Sequence, residues 1–377
     1  MSGVQVEVPG GQGPQDAASQ GRSGERRAGG RGPGERRAGP GGGARDGRRG
    51  RGRRGDGEWS MVPEATFSSY YGRQIVKPAP WNDEIPAYMF AGGLAAGSSI
   101  LAAGGDLTGR PALRRAGRLT AAGALSFSMV ALVHDLGRPE RFLNMMRTVK
   151  LTSPMSVGTW ILALYAPPMG IAAVSELADL ARPGAADGPA RLVRLVRAAG
   201  RPAGVVAAVF APPVAAYTAV LLSDTATPSW HEAYRELPFV FCASALAAAS
   251  GVAMLAVPVS QTGPVRRVAL GAAVSEIAAE RQMERSMGLA AEPLHTGDPG
   301  RLMRAARYLT AAGAVGSLLA GRSRVAAALT GAALLAGSAC TRFGIVRAGI
   351  ASAKDPKYTV VPQRERVDRG ERVRYPG

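Results

Sequence analysis

Residues 85–105 read IPAYMFAGGLAAGSSILAAGG and contain no charged side chain. The 21 residues of this stretch match one helical crossing of a bilayer, which needs about 20 residues at a rise of about 1.5 Å each. Glycine and alanine recur through it, as is typical of helices that pack closely in lipid. The stretch therefore predicts a transmembrane helix, and it decides the class of the fold.

The same pattern recurs along the chain. Four further apolar blocks predict crossings at residues 119–133, 151–175, 202–223 and 237–265, with Arg118 reaching outward to the interface beside the first of them. Three blocks with a weaker signal follow, at residues 325–341, 308–321 and 268–288. Together these blocks predict an all-α integral membrane protein with eight transmembrane helices.

The block 268–288 differs from the others because it carries Glu276, Glu280 and Glu284. Their spacing of four residues places the three carboxylates on one helical stripe. If this helix crosses the membrane, the stripe must face protein or water, since an unpaired charge against lipid is costly. The alternative is an amphipathic helix at the interface, and the sequence leaves both open.

The net charge of +18 comes from 46 Lys and Arg against 28 Asp and Glu. Twelve arginines lie within residues 1–57, among glycine and proline. A segment with so few apolar side chains cannot offset the entropy of ordering, so residues 1–60 are predicted to be a disordered basic tail. Arginines attract phosphates, but we favour a solvated tail without nucleic acid as a partner. The segment has no apolar core typical of a signal peptide. A second basic tail is predicted at residues 346–377.

Cysteine and histidine counts exclude several classes of redox protein. The two cysteines, Cys242 and Cys340, are too few to ligate an iron–sulfur cluster or a cysteine-based zinc site. Of the three histidines, only His134 lies beside one of the first five predicted crossings, which argues against a membrane anchor with two haems. We expect no haem and no metal site in this chain, so any cluster must belong to a partner.

Eight crossings place both termini on one side of the membrane, which we call the tail side. Polar residues collect there, in segments 81–84, 134–141 and 224–236, whereas the opposite loops contain mostly arginine and turn residues. Ionisable groups at membrane depth are functional candidates by default. The segment that follows the second crossing offers His134, Asp135 and Arg138 as a proton relay or as an ion pair at the helix end.

The run DLGRPERF at residues 135–142, followed by SPMSVGTW at 153–160, resembles the NrfD/polysulfide-reductase membrane-subunit family. Supporting similarities are PAYMFAGGLAAG at 86–97 and YTAVLL at 217–222. The resemblance covers most of residues 80–258. It implies a haem-free transmembrane domain at residues 80–345, built as two four-helix bundles.

In function, the resemblance implies a membrane anchor that exchanges electrons between quinone or menaquinone and an iron–sulfur partner. The complex would be a respiratory oxidoreductase similar to polysulfide reductase or formate dehydrogenase, used in anaerobic respiration. Its partners would be a ferredoxin-like subunit with four iron–sulfur clusters and a molybdopterin catalytic subunit, and this chain would not be catalytic alone. The expected location is the bacterial cytoplasmic membrane, with both tails in the cytoplasm.

The positions that correspond to quinone-contacting residues are Glu84 and Tyr88 in the first crossing and Tyr217 in the fourth. Tyrosine hydroxyls can donate hydrogen bonds to quinone carbonyls, and Glu84 can relay protons. The family pattern has Asn and His where this chain has Glu84 and Tyr88. This departure leaves open a structural anchor without quinone chemistry. The glutamate stripe and the helices interrupted by glycine and proline leave open a membrane transporter.

Overall fold

The structure, a computed structural model, describes residues 74–135, 144, 146–147, 149–181 and 191–370, without the side chain of Leu192. The predicted basic tail at 1–60 and the predicted role of Arg138 lie outside the described residues.

Helices form all the regular structure of the described residues. The α-helices are α1 (Glu84–Leu107), α2 (Pro111–Asp135), α3 (Pro154–Ala181), α4 (Arg191–Ser223), α5 (Pro228–Glu232), α6 (Leu237–Ala256), α7 (Gly263–Met287), α8 (Gly297–Leu319), α9 (Arg324–Lys354) and α10 (Lys357–Asp368). Two 3₁₀ segments lie at Val259–Gln261 and Gly288–Leu294.

Six helices of the described chain are long and apolar enough to cross a membrane, namely α1, α2, α3, α4, α6 and α9. They confirm the crossings predicted around 85–105, 119–133, 151–175, 202–223 and 325–341, and they make this a multi-pass membrane protein. Helix α6 also confirms the crossing predicted at 237–265, although the predicted block is too long. Helix α6 ends at Ala256 because Val257 is extended (φ −104°, ψ 141°) and Pro258 follows, which cannot donate a helical hydrogen bond.

The long helices pack as two groups of four. In the first bundle, α1–α4, each helix contacts the next and α4 returns to α1; in the second bundle, α6–α9, α9 likewise returns to α6. The bundles meet mainly where α1 packs on α6. Gly97 permits this approach, because a Cβ atom there would lie 2.5 Å from the carbonyl oxygen of Ala245.

Buried ion pairs close the first bundle at the end opposite the tail side. Glu176 on α3 is fully buried and accepts hydrogen bonds from Arg114 Nε (2.5 Å) and Arg118 Nη1 (3.1 Å). Asp106 at the end of α1 pairs with Arg118 (3.7 Å) and Arg201 (3.1 Å). The prediction that Arg118 reaches outward is wrong: its side chain points into the bundle, because two carboxylates there compensate its desolvation.

Candidate functional site

The tail side of the structure is the face at which α1 begins. Segments from both bundles meet there, as three contacts show: Glu84 with His134, Asp83 with Arg347, and Glu236 with Ser286. The polar segments identified in the sequence therefore lie on one face of the described chain.

The interior of the first bundle contains a pair of tyrosines just below this face. Tyr88 on α1 and Tyr217 on α4 form a hydrogen bond between their hydroxyl groups, and both side chains are buried. The structure thus brings together two of the three predicted quinone-binding residues. Each phenol carries one O–H donor.

All four helices of the first bundle shape the space around this pair. Ser128 on α2 donates from Oγ to the backbone oxygen of Tyr88 (3.1 Å). Gly158 on α3 lies against the ring of Tyr217, and a Cβ atom there would overlap the ring. The position of Tyr217 therefore depends on the absence of a side chain at residue 158.

Glu84, the third predicted residue, lies one helical turn before Tyr88 and reaches the surface. Its Oε1 accepts a hydrogen bond from His134 Nδ1 at 2.9 Å. An ionised Glu84 can only accept, in which case Nδ1 carries the proton. Asp135 is the next residue and interacts electrostatically with Glu84 and His134. The tail-side end of the first bundle thus carries a cluster of two carboxyl groups and one imidazole, from Glu84, Asp135 and His134.

A cleft of about 500 Å³ opens beside Glu84, between the start of α1 and α9. Its lining is Trp81, Asn82, Asp83, Glu84, Pro86, Val346, Arg347 and Ile350. Trp81 stacks on Trp230 with ring centroids 5.2 Å apart, and Arg347 donates to both oxygens of Asp83 (2.8 and 3.0 Å). The cleft combines an aromatic wall, a cation and carboxylates at the bilayer interface.

Sequence reasoning missed Tyr165 on α3, which lies deeper in the first bundle. Its fully buried hydroxyl donates to the backbone oxygen of Ala95 (2.9 Å) and lies 2.6 Å from Ser99 Oγ. The sequence shows Tyr165 as a polar side chain within an otherwise apolar crossing, which could have marked it as a candidate, but nothing in the sequence predicts its contact with Ser99. This contact joins α1 to α3 and holds α1 in place below Tyr88.

A second, larger cleft of about 800 Å³ lies on the tail side between α5, the 3₁₀ segment Gly288–Leu294 and α10. Lys357 at the start of α10 donates to Glu292 Oε1 at 2.8 Å, and this hydrogen bond raises the pKa of the lysine. Partial burial raises the pKa of the neighbouring Tyr358. These contacts fasten α10 across the tail side.

Within the described ranges, no three His, Cys, Asp or Glu side chains are grouped so that they could hold a metal ion. Residues 74–266, just over half of the chain, match the family model described as "Polysulphide reductase, NrfD". The matched segment includes the first bundle with Tyr88 and Tyr217. No curated protein is a significant match to the chain.

Proposed function

Since this chain belongs to the NrfD polysulphide reductase family, we propose that it is the anchor and quinone-reactive subunit of a molybdopterin and iron–sulfur oxidoreductase. The family comprises membrane subunits of respiratory oxidoreductase complexes. The chain has the multi-pass helical structure that such a subunit requires. One observation supports the quinone-reactive role above all, the buried hydrogen bond between Tyr88 and Tyr217 inside the first bundle.

The residues of the first bundle suit a quinone headgroup. When bound, a quinone supplies two-electron chemistry coupled to the gain or loss of two protons. Tyr88 and Tyr217 each provide an O–H group that can turn from its partner towards a carbonyl oxygen, on helices that hold both rings in place. The surrounding alanine and leucine side chains exclude water from the pair.

Protons reach the pair from the tail side in this proposal. Residues four apart on a helix are neighbours on its surface, which places Glu84 next to Tyr88. Glu84 is bonded to His134, whose side chain is 75% exposed and meets water directly. His134 and Asp135 thus exchange protons with solvent, Glu84 holds a proton, and the tyrosine hydroxyls carry it into the bundle.

Electrons come from a partner subunit, since the chain has two cysteines and cannot ligate a cluster alone. We place the iron–sulfur subunit on the tail side, because both clefts and the polar group of Glu84, His134 and Asp135 lie there. The molybdopterin subunit would bind to that partner. In this arrangement the tails and the partner are on the cytoplasmic side.

We further propose that α7 and α8 also cross the membrane, which gives eight transmembrane helices within residues 80–345. Their 25 and 23 residues exceed the length of about 20 that a crossing needs. Glu276 and Glu280 on α7 face protein and are buried, so these two charges do not meet lipid, and the exposed Arg281 and Arg285 lie in the last two turns of the helix, near the interface. The same burial argues against an amphipathic helix lying at the interface.

Purification of the full chain in mild detergent tests the function. The proposal expects a complex that contains iron and molybdenum and that exchanges electrons with a menaquinol analogue. A complex that assembles with both metals but fails to react with any quinol analogue would make the chain a structural anchor. A chain that purifies alone and carries a solute across liposomes would be a transporter.

A further inference from the structure

A line of buried ionisable residues runs through the second bundle, outside the segment that matches the family. Glu276, Glu280 and Glu284 occupy one stripe of α7, and the exposed fraction is 1% for Glu276 and 3% for Glu280. Glu276 lies 11 residues before the end of α7 at Met287. At the rise of an α-helix, this depth is about 16 Å, close to the middle of the hydrocarbon layer.

The outer part of the line connects to water on the tail side. Arg307 on α8 donates from Nε to Glu280 Oε1 at 2.8 Å and also pairs with Glu284. His295, with a half-exposed side chain, places Nε2 3.9 Å from Glu284. The line therefore begins at a partly solvated histidine and arginine and leads inward through two carboxylates.

The inner end contains polar atoms that have no hydrogen-bond partner among the described residues. Thr341 on α9 donates from Oγ1 to Glu276 Oε1 (2.9 Å) and the Ser244 hydroxyl faces the same carboxyl group, whereas Glu276 Oε2 has no hydrogen-bond partner among the described residues. Arg342, the next residue, donates from Nη2 to the backbone oxygen of Phe241 (2.7 Å). Its guanidinium carbon lies over the Phe241 ring, 3.7 Å from the ring centroid. Its Nε and Nη1 atoms are buried and unpartnered. Such atoms cost free energy unless a polar ligand satisfies them.

Arg342 also lies where the two bundles meet. A Cβ atom on Gly93 of α1 would lie 3.3 Å from its Nη2. Gly93 is five residues from Tyr88 on the same helix. The guanidinium group is thus in contact with α1, the helix that carries Tyr88.

We propose that the second bundle is a proton-uptake path from the tail side to Glu276, with Glu284 and Glu280 as relays and Arg342 as the fixed charge beside the terminal site. Each transfer breaks one O–H bond and forms another on the next carboxylate through bridging water, with no change in the number of electrons. The path does not depend on the quinone chemistry of the first bundle.

Charge favours a proton over a metal cation at Glu276. A small cation could in principle be coordinated by oxygen atoms that lie together here, from Glu276, Thr341 and Ser244. The Ser244 hydroxyl donates its own hydrogen bond to Ser338 Oγ at 2.8 Å. Arg342 remains charged, however, and already compensates an ionised Glu276, so little net negative charge is left to hold a metal cation, whereas a proton binds the carboxylate covalently. The other ionisable groups that face the line are Arg307, His295, Arg281 and, beside Arg342, Cys242.

Dicyclohexylcarbodiimide tests the terminal site in the intact complex, because this apolar reagent adds to protonated carboxyl groups in apolar surroundings. Mass spectrometry should find the adduct on Glu276, in an amount that falls as the pH of the reaction rises. Glu176 is the matched control, since it is equally buried but paired with three arginines and should not react. Labelling of Glu176 without Glu276 would overturn the proposal. Protection by sodium chloride but not by potassium chloride would do the same, in favour of a sodium site.

Infrared spectroscopy tests the path. The carboxylic acid band of Glu276 should shift on transfer to D₂O and should be missing in Glu276→Gln. Glu284→Gln should slow this shift by about tenfold or more. Glu292→Gln, a tail-side carboxylate that pairs with Lys357 and lies outside the stripe, should leave its rate unchanged. An equal rate in Glu284→Gln and wild type would refute the path, whatever the state of quinone turnover.

Discussion

Tyr88 and Tyr217 are 129 residues apart in sequence, yet their hydroxyl groups share a hydrogen bond in the interior of the first bundle. The bond joins α1 to α4, the two helices on which the sequence placed the quinone-binding residues. It also places two O–H donors below the polar group formed by Glu84 and His134. This arrangement connects the tail side with the interior of the first bundle.

Gly158→Ala should displace the ring of Tyr217, because the new methyl group would overlap it. We expect a loss of about 1–3 kcal/mol in the free energy of unfolding together with slower quinol turnover. Gly170→Ala, on the same helix, is the control, since a Cβ atom there meets nothing within 4 Å and alanine favours a helix. Thermal unfolding in detergent measures the difference, and equal midpoints for the two variants would contradict the packing assigned to residue 158.

Glu84→Gln should slow quinol turnover without changing assembly. The amide keeps the size of the side chain but cannot accept and release a proton, so the connection between His134 and Tyr88 is interrupted. The measurement is turnover as a function of pH in the purified complex. Glu232→Gln, a tail-side carboxylate that pairs with Arg366, should retain the wild-type profile. A wild-type profile in Glu84→Gln would exclude the relay.

Glu176→Gln should destabilise the first bundle strongly. The substitution leaves Arg118 buried with a weaker set of partners, and removing one member of a buried ion pair typically costs about 3–5 kcal/mol. Asp298→Asn removes an exposed pair with Arg301 and should have no measurable effect. Unfolding in denaturant compares the variants, and a Glu176→Gln protein as stable as wild type would show that these ion pairs do not hold the bundle closed.

Lys357→Met should loosen α10 from the tail side. Because the hydrogen bond with Glu292 raises the pKa of Lys357, its contribution is complete below the normal lysine pKa of about 10.4 and is lost only as the pH rises through the raised value. Hydrogen exchange of the α10 amides, corrected for the intrinsic rate, should therefore stay slow from neutral to mildly alkaline pH in wild type and be faster in the variant. Arg364→Met, exposed on α10, should behave as wild type. Loss of protection in wild type within this pH range would contradict the contact.

The crossings were predictable because apolar blocks of bilayer length leave a clear signal in the sequence. Tyr88 and Tyr217 were predicted from the family resemblance, but their contact depends on Gly158 and on the packing of α1 against α4. Arg118 was misassigned because its partner Glu176 is 58 residues away and nothing in the sequence links them. Arg342 was overlooked for a similar reason, since the predicted crossing ended at residue 341 whereas α9 continues to Lys354.

The most direct test of the central claim is quinol turnover by the assembled complex carrying Tyr88→Phe and Tyr217→Phe together. Each substitution removes a hydroxyl group and keeps the ring, so the iron and molybdenum content should stay at the wild-type level. We expect a loss of about a hundredfold in turnover, against no loss in Tyr308→Phe, whose side chain is 75% exposed on α8. Full turnover in the double variant would contradict a quinone site at this tyrosine pair.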